Sequence, residues 1–123
     1  MMRYLLIGIM AGLLILPAWA FADGDSISAF KAESLYRAVA LDWKVRTPFT
    51  QEVVFQILRS DSFPEGPYEE VATVPYDKRK RKYKYLDKSI GAESNYYYKL
   101  IVKGTDETHG PVQARPFFSP PAT

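Results

Sequence analysis

The residues with the clearest chemical potential form one basic run near the middle of the chain. Its cationic members, the candidates for contact with an anionic polymer, are Lys78, Arg79, Lys80, Arg81, Lys82 and Lys84. Three tyrosines are interleaved with them: Tyr76, Tyr83 and Tyr85. Clustered positive charge beside aromatic rings is typical of a surface that binds a polyanion, and such binding weakens steeply with salt. The alternative is a solvated charge cluster that protects an adjacent aromatic strand from aggregation.

The other reactive residue types do not combine into a catalytic or metal site. His109 is the only histidine and the chain has no cysteine, so the nitrogen and sulfur ligands of a typical metal site are missing. No nucleophile motif accompanies His109, and we expect it to be a solvated residue in a turn. The scattered carboxylates lack the ligand spacing of a calcium loop and are expected to be surface charges: Asp61, Glu65, Glu69 and Glu70. The sequence therefore predicts a non-enzymatic protein with no metal and no cofactor.

The first residues have the pattern of a secretory signal peptide. Arg3 precedes an apolar run from Leu5 to Leu16, and small residues allow cleavage after Ala20 or after Ala22. We prefer the second point, so that residues 1–22 are the predicted signal peptide. A retained membrane anchor is the alternative, but it would need about 20 apolar residues to cross a bilayer. The sequence thus predicts an exported protein, periplasmic or extracellular, with no membrane span after signal removal.

The remaining composition describes a single domain. Removing the 22-residue signal from the 123-residue chain leaves 101 residues, enough for one domain with its own core. Without cysteine no disulfide can support the fold, so side-chain packing must stabilise it alone. Loss of Arg3 lowers the formal net charge from +2 to +1, which indicates no particular partner.

Alternation of apolar and polar residues predicts β-strands throughout this domain. Two runs alternate most clearly, and the residues on their core faces are Val39, Leu41, Trp43 and Val45 in the first and Tyr96, Tyr98, Leu100 and Val102 in the second. Shorter or weaker runs cover residues 24–34, 53–60, 68–74, 83–85 and 112–114. Residues 104–111 are expected to form a polar turn. Because no segment has a helical period, we predict an all-β sandwich of about seven antiparallel strands.

With the strands placed, nearly all of the mature chain resembles a fibronectin type III domain, an immunoglobulin-like sandwich, particularly of the secreted bacterial kind. The residues that carry the resemblance are Val39-x-Leu41-x-Trp43, Phe55-x-Ile57-x-Arg59-Ser60, Tyr68-x-x-Val71-Ala72-x-Val74, Tyr85-x-Asp87-x-x-Ile90 and Tyr96-x-Tyr98-x-Leu100. The resemblance implies that Trp43 lies between the sheets, that Tyr96 bonds the preceding corner through its hydroxyl, and that Ile90 closes the bottom of the core. The predicted domain covers residues 23–116, and the proline content of the last residues indicates a tail over residues 117–123.

Such a domain is a scaffold for binding, so the resemblance implies a binding or adhesion module that contacts a protein or a polymer of the cell envelope. The family's Arg-Gly-Asp motif is absent, and no ligand is carried over. The candidate partner contacts are Tyr97, Phe117 and Phe118, although the phenylalanine pair can instead fold back on the sandwich. The alternative function is a structural subunit that adds an edge strand or the tail to a neighbour's sheet. An exported protein meets few nucleic acids, so the expected polyanions are lipopolysaccharide, anionic membrane, acidic polysaccharide and extracellular DNA.

Overall fold

A computed structural model describes residues 26–119, and the predicted signal peptide lies outside them. These residues form seven strands and no helix: β1 (Ile27–Leu35), β2 (Ala38–Val45), β3 (Val54–Asp61), β4 (Glu69–Pro75), β5 (Lys82–Asp87), β6 (Tyr96–Lys103) and β7 (Thr108–Ala114). All paired strands are antiparallel. The predicted all-β class with seven antiparallel strands is confirmed. Within the described range there is accordingly no helix long and apolar enough to cross a membrane.

The strands form two sheets that enclose one apolar core. The three-stranded sheet has the order β1-β2-β5, and the four-stranded sheet has the order β4-β3-β6-β7. Alternate side chains of a strand point to opposite faces. The predicted core faces of β2 and β6 are buried, and they are joined by Phe55 and Ile57 of β3. The two sheets therefore pack face to face in a sandwich-like arrangement.

Trp43 lies at the centre of this core. It is 1% exposed, its ring stacks on Tyr83 with centroids 5.8 Å apart, and it meets the edge of Phe55 at 5.4 Å. Stacked and edge-to-face pairs are the favourable aromatic geometries, and truncating such a ring costs about 3–5 kcal/mol. The Trp43 indole N–H has no hydrogen-bond partner among the described residues. Burying this donor without a partner lowers the stability of the fold by about 1–3 kcal/mol. Burial of the ring outweighs that loss.

Tyr96 and Ile90 are among the residues that hold the loop between β5 and β6 against the sandwich. The Tyr96 hydroxyl donates to the Ala92 carbonyl at 3.0 Å, four residues upstream. Ile90 turns inward from the same loop and is 9% exposed. A buried tyrosine hydroxyl needs such a partner, so this bond fixes the path of the loop into β6.

One buried carboxylate connects the two sheets. Asp87 of β5 is fully buried, and its oxygens accept hydrogen bonds from the Tyr98 hydroxyl at 2.7 Å and from Arg59 Nη1 at 3.0 Å, both on the opposite sheet. Ser89 donates its backbone N–H at 3.0 Å and its hydroxyl at 2.7 Å. Burial alone would raise the pKa of Asp87, but the bonds from Ser89, Tyr98 and Arg59 outweigh it and hold the pKa below its ordinary value. Burial and the bond to Asp87 raise the pKa of Tyr98.

The two weakly patterned edge strands differ from the sequence prediction, β1 in its regularity and β7 in its length. β1 extends over nine residues, and its register shifts between Ser28 and Lys31, where Ala29 has a φ of 58°. β7 begins at Thr108, inside the stretch expected to be a turn. Its polar residues pair with β6 through the backbone, which leaves no apolar alternation for the sequence to show.

Two residues of β7 depart from the expected turn. His109 is not solvated as predicted: its side chain is 15% exposed, and its Nε2 lies 3.1 Å from Glu107 Oε1. The same Glu107 oxygen accepts the Ser26 N–H at 3.0 Å. Gly110 has a φ of 98°, and a Cβ there would lie 2.6 Å from the Tyr98 carbonyl oxygen. Only glycine fits this position without a shift of the backbone.

Candidate anion-binding face

The outer side of the three-stranded sheet carries a shallow cleft of about 570 Å³ with a strongly cationic lining. We call its five lysines the lysine face: Lys31, Lys44, Lys80, Lys82 and Lys84. One acidic residue, Asp42, lies among them. The face therefore combines five positive charges with one negative charge.

Strand pairing brings these residues together from distant parts of the chain. On β2, Asp42 is the direct neighbour of Lys31 on β1 and of Lys84 on β5. One row away, Lys44 of β2 pairs with Lys82 of β5. Neighbouring strands lie about 4.8 Å apart, and residues two apart on one strand lie about 6.6 Å apart. Four lysines thus occupy adjacent positions on the outside of one small sheet.

Alternation along β2 and β5 explains why the lysines point outward. Trp43 and Tyr83, which come between the charged residues in sequence, are 1% and 2% exposed and belong to the core. Since neighbours on a strand face opposite ways, burial of these rings forces Lys44, Lys82 and Lys84 to the solvent side. Packing inside the sandwich therefore sets the charge pattern outside it.

The positive charge of the face is not neutralised within the described part of the chain. The ion pairs there involve Arg59, Arg79 and His109 and none of the five lysines. Lys80 makes a different contact, with its Nζ 5.0 Å from the centroid of the Tyr83 ring. Asp42 is half-buried between its two lysine neighbours, but its carboxylate has neither a hydrogen bond nor an ion pair among residues 26–119.

The turn before β5 holds Lys80 at the end of the face. The Tyr83 hydroxyl donates to the Asp77 carbonyl at 2.9 Å and accepts the Asp77 N–H at 3.0 Å. The Lys80 N–H closes the turn by donating to the same carbonyl at 2.8 Å. Burial raises the pKa of Tyr83, so the hydroxyl stays protonated and able to donate. The core residue Tyr83 thereby positions the turn that carries Lys80.

The structure divides the basic run that the sequence singles out. Lys80, Lys82 and Lys84 line the lysine face. Arg79 is held instead by Asp77, whose carboxylate accepts its backbone N–H at 2.9 Å and its guanidinium at 3.1 Å; these bonds lower the pKa of Asp77. Lys78 lines a different cleft, and Arg81 lines neither of the two.

Sequence reasoning missed Lys31 and Lys44 as members of the site. They lie 51 and 38 positions before Lys82 in the numbering, and only the pairing of β1, β2 and β5 brings them alongside it. The sequence did indicate the position of Lys44, because the alternation of β2 places Trp43 in the core and the next residue, Lys44, on the outer face. For Lys31 the irregular register of β1 hides the signal.

The predicted partner contacts do not converge on one surface. Tyr97 is half-buried on the four-stranded sheet, between Ser60 and Gln113. Phe117 folds back beside the turn after β1: its N–H donates to the Leu35 carbonyl at 3.2 Å, and its ring lies 6.0 Å from that of Tyr36.

Phe118 also lies back on the sandwich. The Arg37 guanidinium is 4.7 Å from the centroid of its ring, and its N–H donates to Glu93 Oε1 at 3.2 Å. The start of the predicted tail is therefore packed against its own domain.

A second cleft, between the β2–β3 loop and the end of β4, has no excess of one charge. Its charged lining residues are Glu52, Asp77, Lys78 and Lys103. Among residues 26–119 no group of three or more potential metal ligands occurs. Of these two clefts, the one with the lysine face carries the larger excess of charge.

The chain matches no family model, no curated protein and no solved structure. Function must therefore be inferred from the geometry of the lysine face.

Proposed function

We propose that this chain is a non-enzymatic, exported binding module that holds an anionic polymer on its lysine face. The observation that carries the proposal is the convergence of five lysines from three strands and one turn on a single cleft. Four of them come from strand positions that alternate with core residues, so the fold fixes where they emerge.

One pair of lysines in the face costs stability in the free protein. Lys44 and Lys82 are direct cross-strand neighbours. Like charges in that position repel, whereas opposite charges would stabilise the sheet. An anionic ligand removes this repulsion and releases its own counterions on binding, which makes the interaction strong at low salt and weak at high salt.

A solvated cluster that prevents aggregation is the competing explanation for the basic run. Protection from aggregation requires only that charged residues lie close to the aromatic strand β5. It does not require further lysines on β1 and β2 beside them. The addition of Lys31 and Lys44 to the same cleft favours a binding surface.

The proposal includes a fibronectin type III-type sandwich as the scaffold. The order β1-β2-β5 opposite β4-β3-β6-β7 agrees with that family's arrangement of strands. The burial of Trp43 and the bond from the Tyr96 hydroxyl to the Ala92 carbonyl agree with the roles that the resemblance implies. Export is supported by the signal pattern of residues 1–22 and places the module where acidic envelope polymers occur.

Elution from a heparin column in a salt gradient tests the proposal. We expect Lys82→Ala/Lys84→Ala to elute at clearly lower salt than the wild type, because both side chains belong to the face. Lys88→Ala/Lys103→Ala is the matched control, since it removes the same charge from exposed residues outside the cleft. Equal elution of the two variants would contradict the proposal, and thermal unfolding checks that both are folded.

A further inference from the structure

We propose that the ligand of the lysine face is an acidic saccharide, a polymer that carries free hydroxyls as well as anionic groups. This inference rests on the proposed function and specifies its ligand. It is carried by Asp42, the one acidic side chain of the cleft, together with the absence of an outward aromatic ring from the cleft lining.

Asp42 lies in the middle strand of the three-stranded sheet, directly between Lys31 and Lys84. It is half-buried, and its carboxylate has no hydrogen bond or ion pair to any described residue. An ionised carboxylate can only accept hydrogen bonds. A ligand that offered nothing but anionic groups would be repelled at this central position, and the carboxylate would lose water without gaining a partner.

A saccharide hydroxyl provides the donor that this position lacks. A hydrogen bond to a charged acceptor contributes about 1.5–3 kcal/mol, roughly a 10- to 150-fold change in affinity. The surrounding lysines can bind sulfate, phosphate or carboxylate groups on either side of the hydroxyl. The face therefore matches a ligand whose hydroxyls lie between its charges.

The lining of the cleft argues against a single-stranded nucleic acid. Such strands are bound by basic grooves in which exposed aromatic rings stack on the bases. The two aromatic residues of this cleft, Trp43 and Tyr83, are 1% and 2% exposed and stack on each other inside the core. All five cations are lysines, which act as point charges, and none is an arginine, whose planar group stacks on aromatic faces.

Binding of matched probes tests the inference. The probes are a heparin hexasaccharide, a fully sulfated poly(vinyl sulfate) of the same charge number, which carries sulfate groups but no hydroxyls, and an oligothymidylate of the same charge number. Calorimetric titrations of the purified protein are run at one ionic strength. We expect the hexasaccharide to bind about tenfold more tightly than either of the other probes, as one charge-assisted hydrogen bond would produce.

The Asp42→Asn variant distinguishes a hydrogen bond accepted by the carboxylate from the repulsion that its charge exerts on every anionic probe. The substitution keeps the size of the side chain and removes the repulsion felt by every anionic probe. We expect the ratio of hexasaccharide affinity to poly(vinyl sulfate) affinity to fall from about ten to about one, because only the saccharide loses a charge-assisted bond. Near-ultraviolet circular dichroism verifies that the variant keeps its core.

Three results would overturn the inference. If all three probes bind equally and binding depends on Lys82 and Lys84, the proposed function stands but the ligand is not selected through Asp42. If Asp42→Asn strengthens both sulfated probes by the same factor, the carboxylate accepts no ligand hydroxyl. If no probe binds the wild-type protein, the inference and the proposed function both fail.

Discussion

Arg59 Nη1 on β3 lies 3.0 Å from Asp87 Oδ2 on β5, so this ion pair joins the two sheets. The Arg59 side chain is 12% exposed and that of Asp87 is 0% exposed. Arg59 also pairs with Asp61 at 2.9 Å, but that carboxylate is 62% exposed. One arginine thus has a buried and a solvated partner, which offers a direct comparison of the two.

We expect Asp87→Asn to lower the free energy of unfolding by about 3–5 kcal/mol, because it leaves the Arg59 charge poorly paired in a buried site. Asp61→Asn is the matched control and should cost at most about 1 kcal/mol, since a solvated ion pair contributes little. Urea unfolding followed by tryptophan fluorescence measures both. Equal losses would show that the buried partner of Arg59 stabilises the fold no more than the solvated one.

The low pKa of Asp87 predicts a loss of stability in acid. A carboxyl whose pKa is lower in the folded than in the unfolded protein stabilises the fold above the unfolded-state pKa, near 3.8, and this contribution disappears as the pH falls through the folded-state value. Ser89→Ala removes the hydroxyl bond of 2.7 Å to this carboxylate. The folded-state pKa should then rise, and the stability lost as the pH falls below the unfolded-state pKa should be smaller, because less of it depends on Asp87 being ionised.

Unfolding midpoints measured from about pH 7 to pH 2 check this prediction. Ser94→Ala is the control, since the Ser94 hydroxyl contacts Ser62 and not Asp87. Its pH profile should run parallel to that of the wild type. A Ser89→Ala profile that is also parallel to the wild type would contradict the assigned role of the Ser89 bond.

Gly110 in β7 and Gly91 in the β5–β6 loop differ in the space available for the methyl group of an alanine. Gly110→Ala should destabilise the protein by about 1–3 kcal/mol, since it combines a left-handed φ of 98° with a contact of 2.6 Å to the Tyr98 carbonyl. Gly91→Ala should have little effect, because nothing lies within 4 Å of a Cβ at that position. Thermal unfolding of the two variants measures the difference, and similar melting temperatures would refute this account of β7.

The sequence predicts the core of this fold well and its edges poorly. Alternation in β2 and β6 is strong because both strands contribute one face to the core, and the structure confirms that face from Tyr96 to Val102. The predicted start of β7 is too late, since β7 is an edge strand whose pairing is interrupted between Tyr98 and Leu100 and in which only Val112 and Ala114 show apolar alternation.

Part of the candidate site can likewise be predicted from neighbouring residues in the sequence, and part depends on which strands pair. Lys80, Lys82 and Lys84 belong to a visible charge run. Their neighbours Lys31 and Lys44 join them only through strand pairing, which no local pattern specifies. Asp42 looks like an ordinary outward residue of β2 until both of its lysine neighbours are known.

The most direct test of the lysine face is the salt dependence of binding after removal of the two lysines that lie outside the basic run. The affinity for heparin hexasaccharide falls as salt is added, so a plot of log affinity against log salt has a negative slope. In Lys31→Ala/Lys44→Ala we expect this slope to become less negative by about two, one for each lost contact. Lys78→Ala/Arg81→Ala, which changes the run but not the face, should leave the slope near its wild-type value. The reverse result, an unchanged slope in the first variant and a reduced slope in the second, would show that the basic run binds the polymer without the face.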